Sequence, residues 1–284
     1  MKRIFKCLLS FVLNCIGVIE WFLKCLFLCC FTIGKRKSSR LNPVAIVANG
    51  PTLMDELEKI KTDITMDYCM LNHSAKTDLF WRLKPKYYVM IDPLFFSKIL
   101  VEINNPYMDA FMKVDWNMTI FVPIRNLKNM KNMVSENKNI KVETTPASLS
   151  QMINSNKLRN YFFRNKMATP IQQNVVVGAI YAMIMEGFER INLLGVGHSW
   201  LNAMVVNEKN EVCLKDMHYY NKEAVLKPWY TVNGEPYKMH VILRDLAQMF
   251  DSYHQLRCFA DSLGDVRIVN YTKDSYIDAF ERIR

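Results

Sequence analysis

What most constrains this chain is the regular alternation, beyond Pro43, of short apolar runs with longer helix-forming stretches. Val44 to Ala48, Tyr68 to Asn72, Tyr87 to Ile91, Thr119 to Val122, Ile140 to Glu143, Ile191 to Gly195 and Val266 to Asn270 read as strands. Met54 to Lys61, Asp78 to Leu83, Pro93 to Ile103, Val175 to Phe188 and Met239 to Leu263 read as helices. Strands alternating with helices predict an α/β fold: a Rossmann-like, mostly parallel, doubly wound sheet with helices on both faces. With 284 residues, 50% of them hydrophobic, the chain can bury one large core. No Pro/Gly/Ser-rich linker interrupts residues 41–284, which are expected to form a single domain.

The strand from Val44 has no polar alternation, the pattern of a strand buried on both faces. It stops on Asn49-Gly50-Pro51-Thr52, where Thr52 is expected to cap the next helix with Asp55 as a short capping-box acid. Other strands also end in polar residues: Asn72-His73-Ser74, Asp92-Pro93 and Gly195-Val196-Gly197-His198-Ser199. Parallel strands would bring these four ends to one edge, where open α/β sheets bind ligands. Asn49, Gly50, Pro51, Thr52, Asn72, Asp92, Gly195 and His198 are therefore the candidate nucleotide- or donor-binding residues.

The stretch from Asn207 to Lys238 is polar, aromatic and poor in helix or strand period, which predicts a lid or substrate-binding subdomain at about 207–238. Tyr219, Tyr220, Trp229, Tyr230 and Tyr237 supply flat surfaces and phenol donors there. His240 follows in the first turn of an amphipathic helix, where the helix dipole biases the ring neutral and able to accept a proton.

Residues 1–40 stand apart. Lys2, Arg3, Lys6, Lys24, Lys35, Arg36, Lys37 and Arg40 face Glu20 alone, so +7 of the +10 formal charge lies there. That distribution argues for an anionic membrane surface and against a nucleic-acid groove. Residues 4–34 are apolar enough to suggest a span, but Glu20 and Lys24 would sit near its centre at about 2.5 to 3.5 kcal/mol each. On a helical wheel Lys2, Arg3, Lys6, Ser10, Asn14, Gly17, Glu20, Lys24 and Lys35 fall within an arc of roughly 120°. The arc reads as the wet face of an in-plane helix attached through residues 1–34, with Glu20 and Lys24 as a favourable i, i+4 pair. The eight cysteines show no zinc-ligand spacing and read as reduced thiols on a cytoplasmic face.

No P-loop, G-x-G-x-x-G, nucleophile elbow or D-x-D pair is present, and no metal site is expected. Asn49-Gly50-Pro51-Thr52-Leu53, Asn72, Asp92-Pro93-Leu94-Phe95-Phe96, the run from Gly178 to Val196 and a late His-x4-Asp (His240, Asp245) occur in an order that resembles the bacterial sialyltransferases of glycosyltransferase family 42. The resemblance spans about residues 44–280. It implies an inverting, metal-independent transferase, without a cofactor, that takes a sugar from a CMP-linked donor to a surface glycan such as lipopolysaccharide or capsule. Asn49, Gly50 and Thr52 would meet the nucleotide, Asn72 would hold the donor, His240 would be the general base, and Tyr219 or Tyr220 would assist the leaving phosphate. Two motifs depart from the family: Leu194 to Ser199 lacks its acid and first tyrosine, and Gln173 to Gly178 has Asn174 where the family has arginine, with Asn174 itself counted among the candidate donor-binding residues. The expected setting is the cytoplasmic face of a bacterial inner membrane, with the oligomeric state open. An N-G-P-S/T-L turn also occurs in proteins resembling archaeal hydroxymethylpterin pyrophosphokinases, an alternative that would hold Mg2+ on Asp92 and Asp216. A non-catalytic accessory protein of polysaccharide assembly is the third reading.

Overall fold

The computed structural model describes residues 2–60, 65–93, 96, 106–216, 225–231 and 234–283. Its centre is an eight-stranded sheet, parallel throughout. In chain order the strands are β1 (Val44–Val47), β2 (Asp67–Leu71), β3 (Tyr87–Val89), β4 (Met118–Pro123), β5 (Ile140–Thr145), β6 (Arg190–Leu194), β10 (Arg267–Asn270) and β11 (Glu281–Arg282). They lie in the order β11-β10-β6-β1-β2-β3-β4-β5. All four residues of β1 are buried, as its unbroken apolar run requires, and it pairs with β2 on one side and β6 on the other. The chain thus winds outward from β1 to β5, then returns to start again beside β1. The β1/β6 junction is the topological switch point.

The expected doubly wound architecture is the one observed. Helices α2 (Leu53–Ile60), α3 (Asp78–Leu83), α4 (Pro106–Met112) and α5 (Leu127–Met133) cover one face. Helices α6 (Asn156–Arg164), α7 (Val175–Met185) and α8 (Met239–Leu263) cover the other. Val176 to Met185 are all buried, which explains why α7 is apolar all round. Helices α4, α5 and α6 were not anticipated; each is short, and packing rather than periodicity stabilises it. Most of the helix expected over Pro93 to Ile103 lies outside the described residues.

The stretch from Asn207 to Lys238, read as poor in strand period, is corrected in one respect: β8 (Val212–Asp216) and β9 (Val225–Pro228) within it form an antiparallel sheet with β7 (Met204–Val206), which precedes it. Asn207 closes the first hairpin, its Oδ1 accepting from the backbone N–H of Lys209 and Glu211 at 3.0 and 2.9 Å. Runs of three to five residues leave too short a period to read from sequence.

The N-terminal helix α1 (Lys2–Phe27) forms as expected, but its polar arc does more than face water: from Ser10 to Lys24 it is bonded to the body, with Lys6, Glu20 and Lys24 still exposed. Ser10 Oγ and Asn14 Nδ2 donate to Asn154 Oδ1 at 2.7 and 2.9 Å. Asn14 Oδ1 accepts from the backbone N–H of Asn154 and Ser155 at 3.0 and 3.1 Å. Ser150 donates to Glu20, and Lys24 donates to the Ser148 carbonyl at 3.3 Å. A Cβ on Gly17 would lie 2.7 Å from Ile153 Cγ1, so glycine permits the close approach. Trp21 and Cys25 are buried on the same stripe, with Trp21 edge-on to Phe162 at 4.8 Å. Beyond the helix, residues 34–40 continue along the body: Gly34, Lys37 and Arg40 each donate a backbone N–H to it. The stripe that reads as solvated is the one that docks.

Candidate functional site

At the switch point the strand-end loops are laced together. Ala48 N–H donates to the Leu194 carbonyl and Gly50 N–H to the Gly195 carbonyl, both at 2.9 Å. A Cβ on Gly50 would sit 2.5 Å from the Gly195 oxygen, and one on Gly195 would sit 2.7 Å from the Ala48 oxygen. Gly195 also has φ +66°, a conformation costly for other residues. Both glycines are thus explained by the crossing of two backbones.

Beneath this crossing lies Glu56, 3% exposed. Its Oε2 accepts from the Gly195 N–H at 2.6 Å and from Thr272 Oγ1 at 3.1 Å, while its Oε1 accepts from the Thr52 hydroxyl. One carboxylate therefore ties the ends of β1, β6 and β10. The expected Thr52/Asp55 pairing is corrected here: Thr52 donates its hydroxyl to Glu56, four residues on. The sequence signal was a carboxylate within the apolar stripe Leu53, Glu56, Leu57, which are the three buried residues of α2.

The ends of β2 and β3 hold a second polar group. Asn72 has φ +38°, its carbonyl accepts from the Tyr88 hydroxyl, and its Oδ1 is buried without a hydrogen-bond partner among the described residues. His73, within the Asn72-His73-Ser74 strand end, pairs Nδ1 with the Tyr107 hydroxyl. Burial holds its pKa below the ordinary histidine value, Lys76 adds to the effect and Asp92 opposes it. Lys76 Nζ in turn lies 4.2 Å from the Tyr107 ring centroid. Asp92, Asn72, His73, Lys76 and Tyr107 therefore converge from three elements that are distant in sequence.

The N-terminus of α7 reaches this same edge, because Gly178 packs close to Ile91, the residue before Asp92. Asn174 is its N-cap and accepts the Val176 N–H at 2.8 Å. Asn49 and Pro51 are exposed at the edge, with Gly50 and Thr52 half-buried. His198 turns inward: it is 7% exposed, sits at φ +56°, pairs Nε2 with the Tyr253 hydroxyl at 2.7 Å and meets Phe250 edge-on. Burial lowers its pKa to about 4.

His240 is exposed in the first turn of α8. His198 at the end of β6 meets Phe250, and His240 lies ten residues before Phe250 on α8, about 15 Å away along the helix axis. Tyr219 and Tyr220 lie outside the described residues. Trp229 and Tyr237, 5.7 Å apart, pack the lid against the core. Asp92 follows β3 in the large sheet and Asp216 ends β8 in the small one. Among the described residues no group of three or more His, Cys, Asp or Glu side chains gathers as a metal-ligand set.

The edge thus offers exposed and half-buried polar strand ends, a capped helix N-terminus and a neutral-biased imidazole. No protein-family model matches the chain, and no curated protein matches it in sequence. Among solved structures it is similar to the MAf glycosyltransferase from Magnetospirillum magneticum AMB-1, at 14% identity and a TM-score of 0.47. The match covers 89% of this chain and 35% of that one, so the chain spans about a third of its neighbour's length. The likeness to family 42 rests on the residues quoted above.

Proposed function

We propose that the protein is a membrane-attached glycosyltransferase that moves a sugar from a nucleotide donor to a bacterial surface glycan, at the cytoplasmic face of the inner membrane. The carrying observation is that the polar ends of β1, β2 and β3 share one edge of a parallel sheet with the N-terminus of α7. Backbone N–H groups at such an edge suit a phosphate, because the helix dipole and unpaired donors both favour negative charge. In this reading the Asn49 to Thr52 turn and Asn174 flank the donor phosphate, and Asn72 and Asp92 hold hydroxyls of the nucleotide or sugar. The donor is CMP-linked, as in family 42, and transfer inverts the anomeric carbon without a metal.

His240 acts as general base in this scheme, taking the proton from the acceptor hydroxyl as its oxygen attacks. Tyr219 or Tyr220 donates a hydrogen bond to the departing phosphate as charge develops there. The exposed apolar face of α1 supports the membrane attachment.

Calorimetric titration of the full chain in detergent with CMP, UDP, GDP and ATP tests the donor. CMP binding without metal is the expected result. Mg2+-dependent ATP binding would favour the pyrophosphokinase reading, and binding of none would favour an accessory protein. The base is tested separately: His240→Ala is expected to lower kcat at least a hundredfold with CMP affinity within twofold of wild type. The matching His73→Ala variant distinguishes the imidazole at the strand ends from His240. Should it alone behave that way, the base is His73.

A further inference from the structure

Twelve large apolar residues of α1, from Ile4 to Phe27, are exposed, and the face continues through Leu28, Phe31 and Ile33, the last 85% exposed. The opposite stripe is hydrogen-bonded to residues 148–155 over the span from Ser10 to Lys24. That span is about 21 Å long at 1.5 Å per residue. A helix held along such a length cannot stand perpendicular in a bilayer unless the clasp breaks or the body enters the membrane. The segment it clasps follows the C-terminal end of β5, and Ile171, just before α7, lines the same cleft as Glu20 and Lys24. The helix is therefore fixed near the sheet edge that carries the candidate site.

Two residues past Ile33 the surface turns basic. Lys35, Arg36, Arg164, Asn165, Ser262 and Leu263 line a shallow open pocket of about 370 Å³. Arg36 is committed there, its Nη1 donating to both Asp265 carboxylate oxygens at 2.7 and 2.8 Å and its Nε donating to the Ile184 carbonyl. Lys35, two residues from the exposed Ile33, and Arg164, which also donates Nη2 to the Ser262 carbonyl at 2.9 Å, supply the remaining positive charge. That combination of apolar face and basic margin complements an anionic bilayer surface.

Building on the membrane attachment above, we propose that α1 is a rigid in-plane platform, clasped to the body on one side and immersed in the bilayer on the other. Lys35 and Arg164 bind the phosphate of an anionic phospholipid headgroup at its margin. The consequence for substrate is direct. A platform fixed beside the site presents it to an acceptor that is itself lipid-linked.

The test uses the full chain with phosphatidylglycerol-containing vesicles and with phosphatidylcholine vesicles. Nitroxide labels at Leu8, Ile19 and Leu26 are expected to report one common depth. A perpendicular helix would instead spread them across about 27 Å, and that result would overturn the platform while leaving membrane attachment intact. Lys35→Gln/Arg164→Gln is expected to weaken partition to the anionic vesicles by roughly 25-fold at low salt, at about fivefold per basic residue. Partition to phosphatidylcholine should not change. Equal loss on both vesicle types, or relief of binding by millimolar inorganic phosphate alone, would overturn the headgroup site. A wild-type chain that binds neither vesicle would overturn both this inference and the attachment on which it rests. Nucleotide titration is independent of these readouts.

Discussion

His198 carries the clearest pH signature among the individual residues. Burial brings its pKa to about 4 in the folded chain, against an ordinary value near 6.5 when unfolded. Between those values the unfolded chain binds a proton that the folded chain does not, so folding stability is fully present above pH 6.5 and declines toward pH 4. The expected loss from this group is about 3 kcal/mol across that window. Urea unfolding at pH 7 and pH 4 should show it, and His198→Asn, which tolerates the left-handed backbone, should remove that part of the slope. Gly50 is the second test at this scale. Gly50→Ala forces a Cβ to 2.5 Å from the Gly195 oxygen and should separate the two strand ends. A loss of about 2 to 3 kcal/mol in unfolding free energy is expected. Wild-type stability would show that the crossing is loose. Glu56 escaped prediction for a related reason: its partners Gly195 and Thr272 lie 139 and 216 positions away, and no local pattern announces them.

Among the elements, α1 shows how one pattern supports two meanings. A polar stripe on an apolar helix looks the same in sequence whether it faces water or hydrogen-bonds protein. Here the stripe meets Asn154, Ser150 and Ser148, with Trp21 edge-on to Phe162. Trp21→Ala should therefore lower the unfolding free energy of the body by about 3 kcal/mol in detergent solution. A simple tether would leave body stability unchanged. By contrast α8 has the bounds its periodicity gave, Met239 to Leu263, because 25 residues of amphipathic pattern ending at Gly264 in the left-handed region specify a helix locally. The small lid sheet shows the opposite limit, since its strands of three to five residues depend on their partners.

For the molecule as a whole, the sequence by itself determined the strand and helix alternation of the main sheet, its parallel pairing and the edge on which polar strand ends collect, whereas the short helices α4 to α6 and the lid strands escaped it. Apolar runs without alternation must be buried on both faces, and helical crossovers between them leave parallel pairing as the solution. Asn49, Asn72 and Asp92 could be placed at a shared edge for that reason alone. The tertiary structure decided the rest: that Gly50 and Gly195 exist for one another, that Glu56 laces three strands, that His73 joins Asp92 and Tyr107, and which side of α1 faces out. Periodicity records whether a side chain is buried on its own element, whereas a contact between segments a hundred residues apart is settled by how the whole chain packs.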